Sequence, residues 1–199
     1  MLKKLLLLLF VTAWLSAHAQ APSADDIYNQ YLDFNLARFQ GEQDKILDLG
    51  EKIIPYAGKL PEKARISFYA AVGKMYEDND QPDKAVPYYD KVAAAVPDYY
   101  VVHRALGYIY LAKAKKIWDE LNNSSNDTAM ATQLTAAYAG AAKKALPNLE
   151  KAQACDPSDE TLVSIQRLYR NLKDTDGLAT LDSRLKQLSR NCVDLLSDH

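Results

Sequence analysis

Side chains able to attack a bond, grip a metal ion or pass a proton are few in this chain. Cysteine occurs twice, at Cys155 and Cys192, neither in a CxxC pair nor beside a histidine at metal-ligand spacing. The two thiols either pair with each other or stay free. A bridge would close a loop of about 38 residues and, on the chain-entropy account, stabilise by about 4 kcal/mol. Beyond residue 19 the only histidines are His103 and His199, so no nucleophile shares a motif with a poised base. HExxH, GxSxG, the Walker loop and the paired-glycine nucleotide signature are all missing. Asp78 and Asp80 begin like a calcium loop. Pro82 then holds its fifth place, Asp83 stands where glycine is required, and Tyr89 where glutamate is. Catalytic residues, cofactors and metals are therefore not expected, and an enzyme of unrecognised type is the remote alternative. The remaining chemistry is that of contact. Lys74 and Arg104 can meet a carboxylate, while Tyr108, Leu111 and Trp118 can cover an apolar side chain.

Composition narrows the field further. The chain has 199 residues with 24 Lys or Arg and 26 Asp or Glu, a formal charge of −2 that argues against a dedicated nucleic-acid binder. Its 48% hydrophobic content, with 7 Gly and 8 Pro, is that of a chain that buries a core rather than a disordered one.

Residues 1–19 have the parts of a secretory signal peptide. Lys3 and Lys4 precede an uncharged run from Leu5 to Leu15, followed by Ser16-Ala17-His18-Ala19. The apolar run is too short for a spanning helix, which needs about 20 apolar residues. Cleavage after Ala19 would leave a domain over 20–199 in the periplasm of a Gram-negative bacterium or outside the cell. Disulfides persist in such compartments, which tilts the reading of Cys155 and Cys192 towards a bridge.

The elements that must position these residues follow from an internal repeat. Tyr69-x2-Val72-Gly73-x2-Tyr76 recurs 34 residues later as His103-x2-Leu106-Gly107-x2-Tyr110. Lys84-Ala85-Val86-Pro87 with Lys91 and Pro97 recurs 60 residues later as Lys144-Ala145-Leu146-Pro147 with Lys151 and Pro157. The second unit is thus the first with 26 residues inserted in its middle. Tyr69, Val72, Gly73 and Tyr76 share one helical face, on which glycine admits a close neighbour. Ala85, Tyr89 and Val92 form the facing stripe. Pro97 stops the helix, and Pro87 and Pro147 are expected near the starts of theirs.

This pattern, aromatic-x2-apolar-Gly-x2-Tyr, then Ala-x3-aromatic, then Pro, resembles the tetratricopeptide repeat. Residues 66–99 match it with Tyr69 in place of the usual tryptophan and Val92 in place of a small residue. Residues 100–159 match at both ends, with an insertion near 112–143. Units at 24–56 and 160–190 are read as degenerate end hairpins, with Tyr28, Leu32 and Phe39 the apolar face of the first helix. The resemblance implies an all-α, right-handed solenoid of antiparallel helical hairpins, about eight helices in all, one hairpin being elongated. Periodicity and breakers place them at 24–40, 42–56, 61–79, 82–96, 98–122, 128–155, 158–173 and 176–190.

The insertion lengthens both helices of its hairpin, by about 20 Å at 1.5 Å per residue. Leu111, Ala114, Trp118 and Leu121 continue one stripe, with Met130, Leu134, Ala137 and Ala141 facing it. Asp127 is the expected helix cap of the returning arm. Trp118 either packs within the arm or anchors a contact. Asp127-Thr128-Ala129 resembles an O-glycosylation acceptor of exported bacterial proteins, which would put a glycan on Thr128.

Opposite the packing stripe lie Ser67, Ala70, Lys74, Glu77 and Asp78 on one helix, and Val101, Arg104, Tyr108 and Leu111 on its counterpart. In the tetratricopeptide family these positions line a concave groove that holds peptides. The expected function is therefore an exported scaffold or adaptor that binds a protein or peptide, with no nucleic acid and no membrane span after cleavage. The alternative is a structural protein that oligomerises through the 98–155 hairpin.

Overall fold

The computed structural model describes residues 21–123 and 128–196. The expected leader, Asp127 and His199 lie outside the described residues. Within them are nine α-helices and no strand: α1 (Ala24–Gln40), α2 (Gln43–Ile53), α3 (Glu62–Asp78), α4 (Pro82–Ala95), α5 (Tyr100–Asn123), α6 (Thr128–Cys155), α7 (Asp159–Leu172), α8 (Thr175–Ala179) and α9 (Leu181–Leu188). No helix among the described residues is long and apolar enough to cross a membrane.

Local chemistry sets the boundaries. Ser23 opens α1 with a reciprocal capping box, its Oγ accepting from the Asp26 N–H (3.1 Å) while the Asp26 carboxylate accepts from the Ser23 N–H (2.9 Å). Gly41, at φ 72°, closes the helix in the left-handed conformation that glycine adopts without penalty. Pro82 begins α4, where its missing N–H is no loss.

Four local expectations fail for definable reasons. The helix expected over 42–56 stops being α-helical at Ile53, and Ile54–Lys59 forms a 3-10 turn, because Pro55 has no amide to donate back into the helix. Pro147 lies deep within α6 rather than near its start, since the insertion adds turns on its N-terminal side. The helix expected over 176–190 is two short ones. Thr180 separates them, its hydroxyl donating to the Asp176 carbonyl (2.8 Å) in competition with helical pairing. On α1 the buried stripe is Ile27, Tyr31, Phe34 and Ala37, while Leu32 and Phe39 are exposed.

Each helix packs on the next: α1 on α2, α3 on α4, α5 on α6, with α4 against α5 and α6 against both α7 and α9. Buried side chains form two clusters. The first spans α1 to the start of α5 and is centred on Phe68, whose ring meets those of Tyr31 (6.2 Å) and Phe34 (5.3 Å) edge-on. The second joins the far half of α5 to α6, α7 and α9.

The two glycines of the repeat make corresponding contacts. A β-carbon on Gly73 would meet the Tyr89 ring of α4, and one on Gly107 would meet Leu149 of α6. Tyr89 and Leu149 stand 60 residues apart, the offset of the second half of the repeat. Within the elongated hairpin the buried stripe of α6 is Tyr138, Ala142, Ala145 and Leu149, with Ala141 packed against the same cluster as expected, while Met130 and Ala137 are exposed.

Candidate functional site: a groove across three helices

Alternate helices leave a concavity of about 1010 Å³ on one side of the chain. Its walls are α1 through Asn35, Arg38 and Phe39, α3 through Ser67, Ala70 and Lys74, and α5 through Val101, Arg104 and Tyr108. The packing stripes explain the placement. Gly73 and Gly107 turn one face of α3 and α5 towards their hairpin partners, so residues on the opposite arc border the open side.

Three of the five sequence-predicted contact residues meet here. Lys74 pairs with Asp78 one turn along. Arg104 pairs with Asp156 and lies over the Tyr100 ring, 5.4 Å from its centroid. Tyr108 shares a hydrogen bond with Thr161 (2.8 Å). Leu111 and Trp118 do not line the groove. Both pack against the second core cluster, Trp118 with its ring 5.0 Å from that of Tyr138. The reason is length: the insertion carries α6 alongside the far half of α5, and what the repeat pattern leaves open is covered there.

The lining residues include the cations Arg38, Lys74 and Arg104 and the carboxylate Glu77, while Asp78 and Asp156 beside the wall already pair with Lys74 and Arg104. Glu77 is occupied by the Tyr89 hydroxyl, which donates to it at 2.7 Å. Burial, reinforced by that bond, pushes the Tyr89 phenol far above its ordinary range. The wall thus offers a partner apolar side chains and the Arg38 guanidinium, which donates to the uncharged Asn35 side chain (3.0 Å). Ser67 Oγ, in the same wall, is the one buried side-chain polar atom without a hydrogen-bond partner among the described residues.

Sequence reasoning missed the α1 contribution and the C-terminal one. Phe39 belongs to a second apolar stripe on α1, with Leu32 and Leu36, and two apolar faces on one helix were the available signal. Leu195 and Leu196 also line the concavity, and no local pattern shows that.

The other chemistry-bearing residues are structural in their contacts. His103 sits between the Asn148 side-chain oxygen (2.7 Å) and the Pro97 carbonyl (2.9 Å). Cys155 and Cys192 form a disulfide, with Cα atoms 5.6 Å apart. Thr128 is exposed at the start of α6. Among the described residues, no group of three or more His, Cys, Asp or Glu side chains is placed to hold a metal ion.

Comparison with family models, with curated proteins and with solved structures finds no match to this chain.

Proposed function

We propose that this chain is an exported, tetratricopeptide-like binding protein, a right-handed solenoid of helical hairpins that acts as a scaffold or adaptor. Its groove holds a segment of a partner protein in the periplasm or outside the cell. One observation carries the reading: the same concavity is walled by the first helices of three successive hairpins, with Lys74, Arg104 and Tyr108 on it. The corresponding contacts of Gly73 and Gly107 support the repeat on which this rests. A preformed groove of packed helices lowers the ordering cost of binding, so moderate contacts suffice.

A photo-crosslinking residue placed at Ala70, in the groove, and another at Asp90, on the exposed side of α4, test the reading in the native host. The expected result is one partner captured from position 70, not from position 90, and lost when Lys74→Glu and Val101→Glu are added. No adduct at position 70, or an equal one from position 90, overturns it.

Self-assembly through the 98–155 hairpin is the second reading, and the half-exposed Met130 near the arm's tip is the observation in its favour (51% exposed). An oligomer in light scattering that disappears on deletion of 112–143 would select it.

A further inference from the structure

The chain's own C-terminal segment reaches one end of the groove, where Leu195 and Leu196 join the lining. Val193 pairs with the α4–α5 connection as an isolated parallel bridge. Its N–H donates to the Asp98 carbonyl (2.8 Å), and its carbonyl accepts from the Tyr100 N–H (3.1 Å). Backbone pairing of this kind is how extended peptides add to a protein surface.

Two ties deliver the segment to that place. The disulfide fixes Cys192 to the last residue of α6. Beside it, the buried Lys151 ammonium donates to the Asp98 carboxylate (2.7 Å) and to the Asn191 carbonyl. A buried cation is tolerated only with such partners, so the tie is specific in geometry.

Past the bridge, Leu195 and Leu196 reach the concavity. Leu196 packs on the first core cluster, whereas Leu195 is 79% exposed. Arg38 lines the same concavity, and Asp194 directly precedes the two leucines. The cover is incomplete: Phe39 (90% exposed) and Val101 (39%) present bare carbon in the same concavity. A tethered segment needs only weak contacts, because its effective concentration is on the order of millimolar. A longer peptide that also covers Phe39 and Val101 removes more apolar area from water and can displace it.

We propose that this end of the groove is a subsite for an extended peptide bearing leucines beside an acidic residue, and that Val193–Leu196 fills it in cis until such a segment of a partner protein replaces it. The proposal rests on the groove reading above and adds the ligand's chemistry and its gate. The exchange is non-covalent. The disulfide stays closed and marks the point from which the segment lifts away.

The test uses a fluorescein-labelled peptide, acetyl-Ser-Val-Asp-Leu-Leu-Ser-amide, and fluorescence anisotropy. Three proteins are compared: the chain from residue 20 to 199, the same chain lacking 193–199, and the full-length Leu195→Ser/Leu196→Ser variant. Both altered forms keep Cys192 and hence the disulfide, and circular dichroism melting checks that they fold. They are expected to bind the peptide at least about tenfold more tightly than the unaltered chain, as loss of a tethered competitor requires. A peptide with serine for both leucines should not bind, and adding Val101→Glu should abolish binding. Equal affinity for all three proteins, no binding at millimolar peptide, or binding indifferent to Val101→Glu overturns the proposal. A dimer that dissociates on Leu195→Ser/Leu196→Ser overturns the cis arrangement by placing the segment in a second copy. If position 70 still captures a partner while the peptide fails to bind, the subsite falls and the groove reading stands. If both fail, both fall.

Discussion

The ring of Tyr89 lies directly across Gly73, so close that a β-carbon on the glycine would come within 2.5 Å of the tyrosine Cδ1. The contact joins α3 to α4, and Gly107 repeats it between α5 and α6, where a β-carbon would come within 2.7 Å of Leu149 Cδ2 and 3.0 Å of its backbone nitrogen. Tyr89 is buried and tied to Glu77, so it cannot swing away freely. Helix crossings as close as these tolerate hydrogen and little else.

Gly73→Ala and Gly107→Ala are each expected to cost about 2 kcal/mol by overpacking, read from urea unfolding. The Gly73→Ala penalty should shrink to well under half in a Tyr89→Leu background, because the obstructing ring is gone. Equal penalties in both backgrounds would show that the crossing is not what demands glycine.

Glu150 is 4% exposed and shares its carboxylate among Arg184, at 2.8 and 2.9 Å, and the Tyr169 hydroxyl. This cluster fastens α7 and α9 to α6. Arg184→Leu removes the cation from the buried carboxylate, leaving the Tyr169 hydroxyl to donate to it, and is expected to lower stability by about 3 kcal/mol. Glu150→Leu together with Arg184→Leu should recover most of that loss. A double variant as unstable as the single one would mean that the arginine acts through packing alone.

Burial raises the phenols of Tyr89 and Tyr169 above their ordinary value of 10.0, each with an added push from a bonded carboxylate, Glu77 and Glu150 respectively. Above pH 10 the unfolded chain therefore releases these protons first and is favoured. Below pH 10 both groups are protonated in either state, so their contribution is fully present; it declines as pH rises. Each phenol can add a slope of at most about 1.4 kcal/mol per pH unit. The urea midpoint should hold steady from these two groups up to pH 9.5 and then fall, and Tyr89→Phe/Tyr169→Phe should flatten the fall. Identical alkaline profiles for the two proteins would remove the phenols as its cause.

Trp118 lies against Tyr138 within the elongated hairpin, and it is the only tryptophan beyond residue 19. Trp118→Ala is expected to destabilise by about 3 kcal/mol through lost packing. Capture of a partner from position 70 should be unchanged, since the side chain is outside the groove wall. Loss of capture in a variant that remains folded would return Trp118 to the contact surface.

The helices were legible where punctuation and period agree. Gly41, Pro82, Pro97 and Pro157 bracket α1, α4, α5 and α6 as expected, because a residue that cannot continue a helix acts on its own neighbours alone. The groove cations were legible for a related reason: the arc of α3 that packs on α4 determines the arc that does not, and Lys74 lies on the latter. Leu111 was misassigned because α5 and α6 are both long, so the far half of α5 meets a neighbour that the repeat lacks. Leu32 and Phe39 were misassigned because α1 carries apolar residues on two faces and period alone does not choose between them.

By itself the amino-acid order determined an all-helical chain with a twice-used glycine crossing, since both follow from interactions within a few turns or from a repeat of such turns. Which apolar arc of α1 is buried, and that Val193–Leu196 returns to the mouth of the groove, were decided only by the tertiary structure. Asp98 and Val193 are paired across 95 residues. Closing a loop of that length leaves no local periodicity to read; it is held by a disulfide, a buried lysine and two backbone bonds that exist only when α6 lies beside the α4–α5 connection.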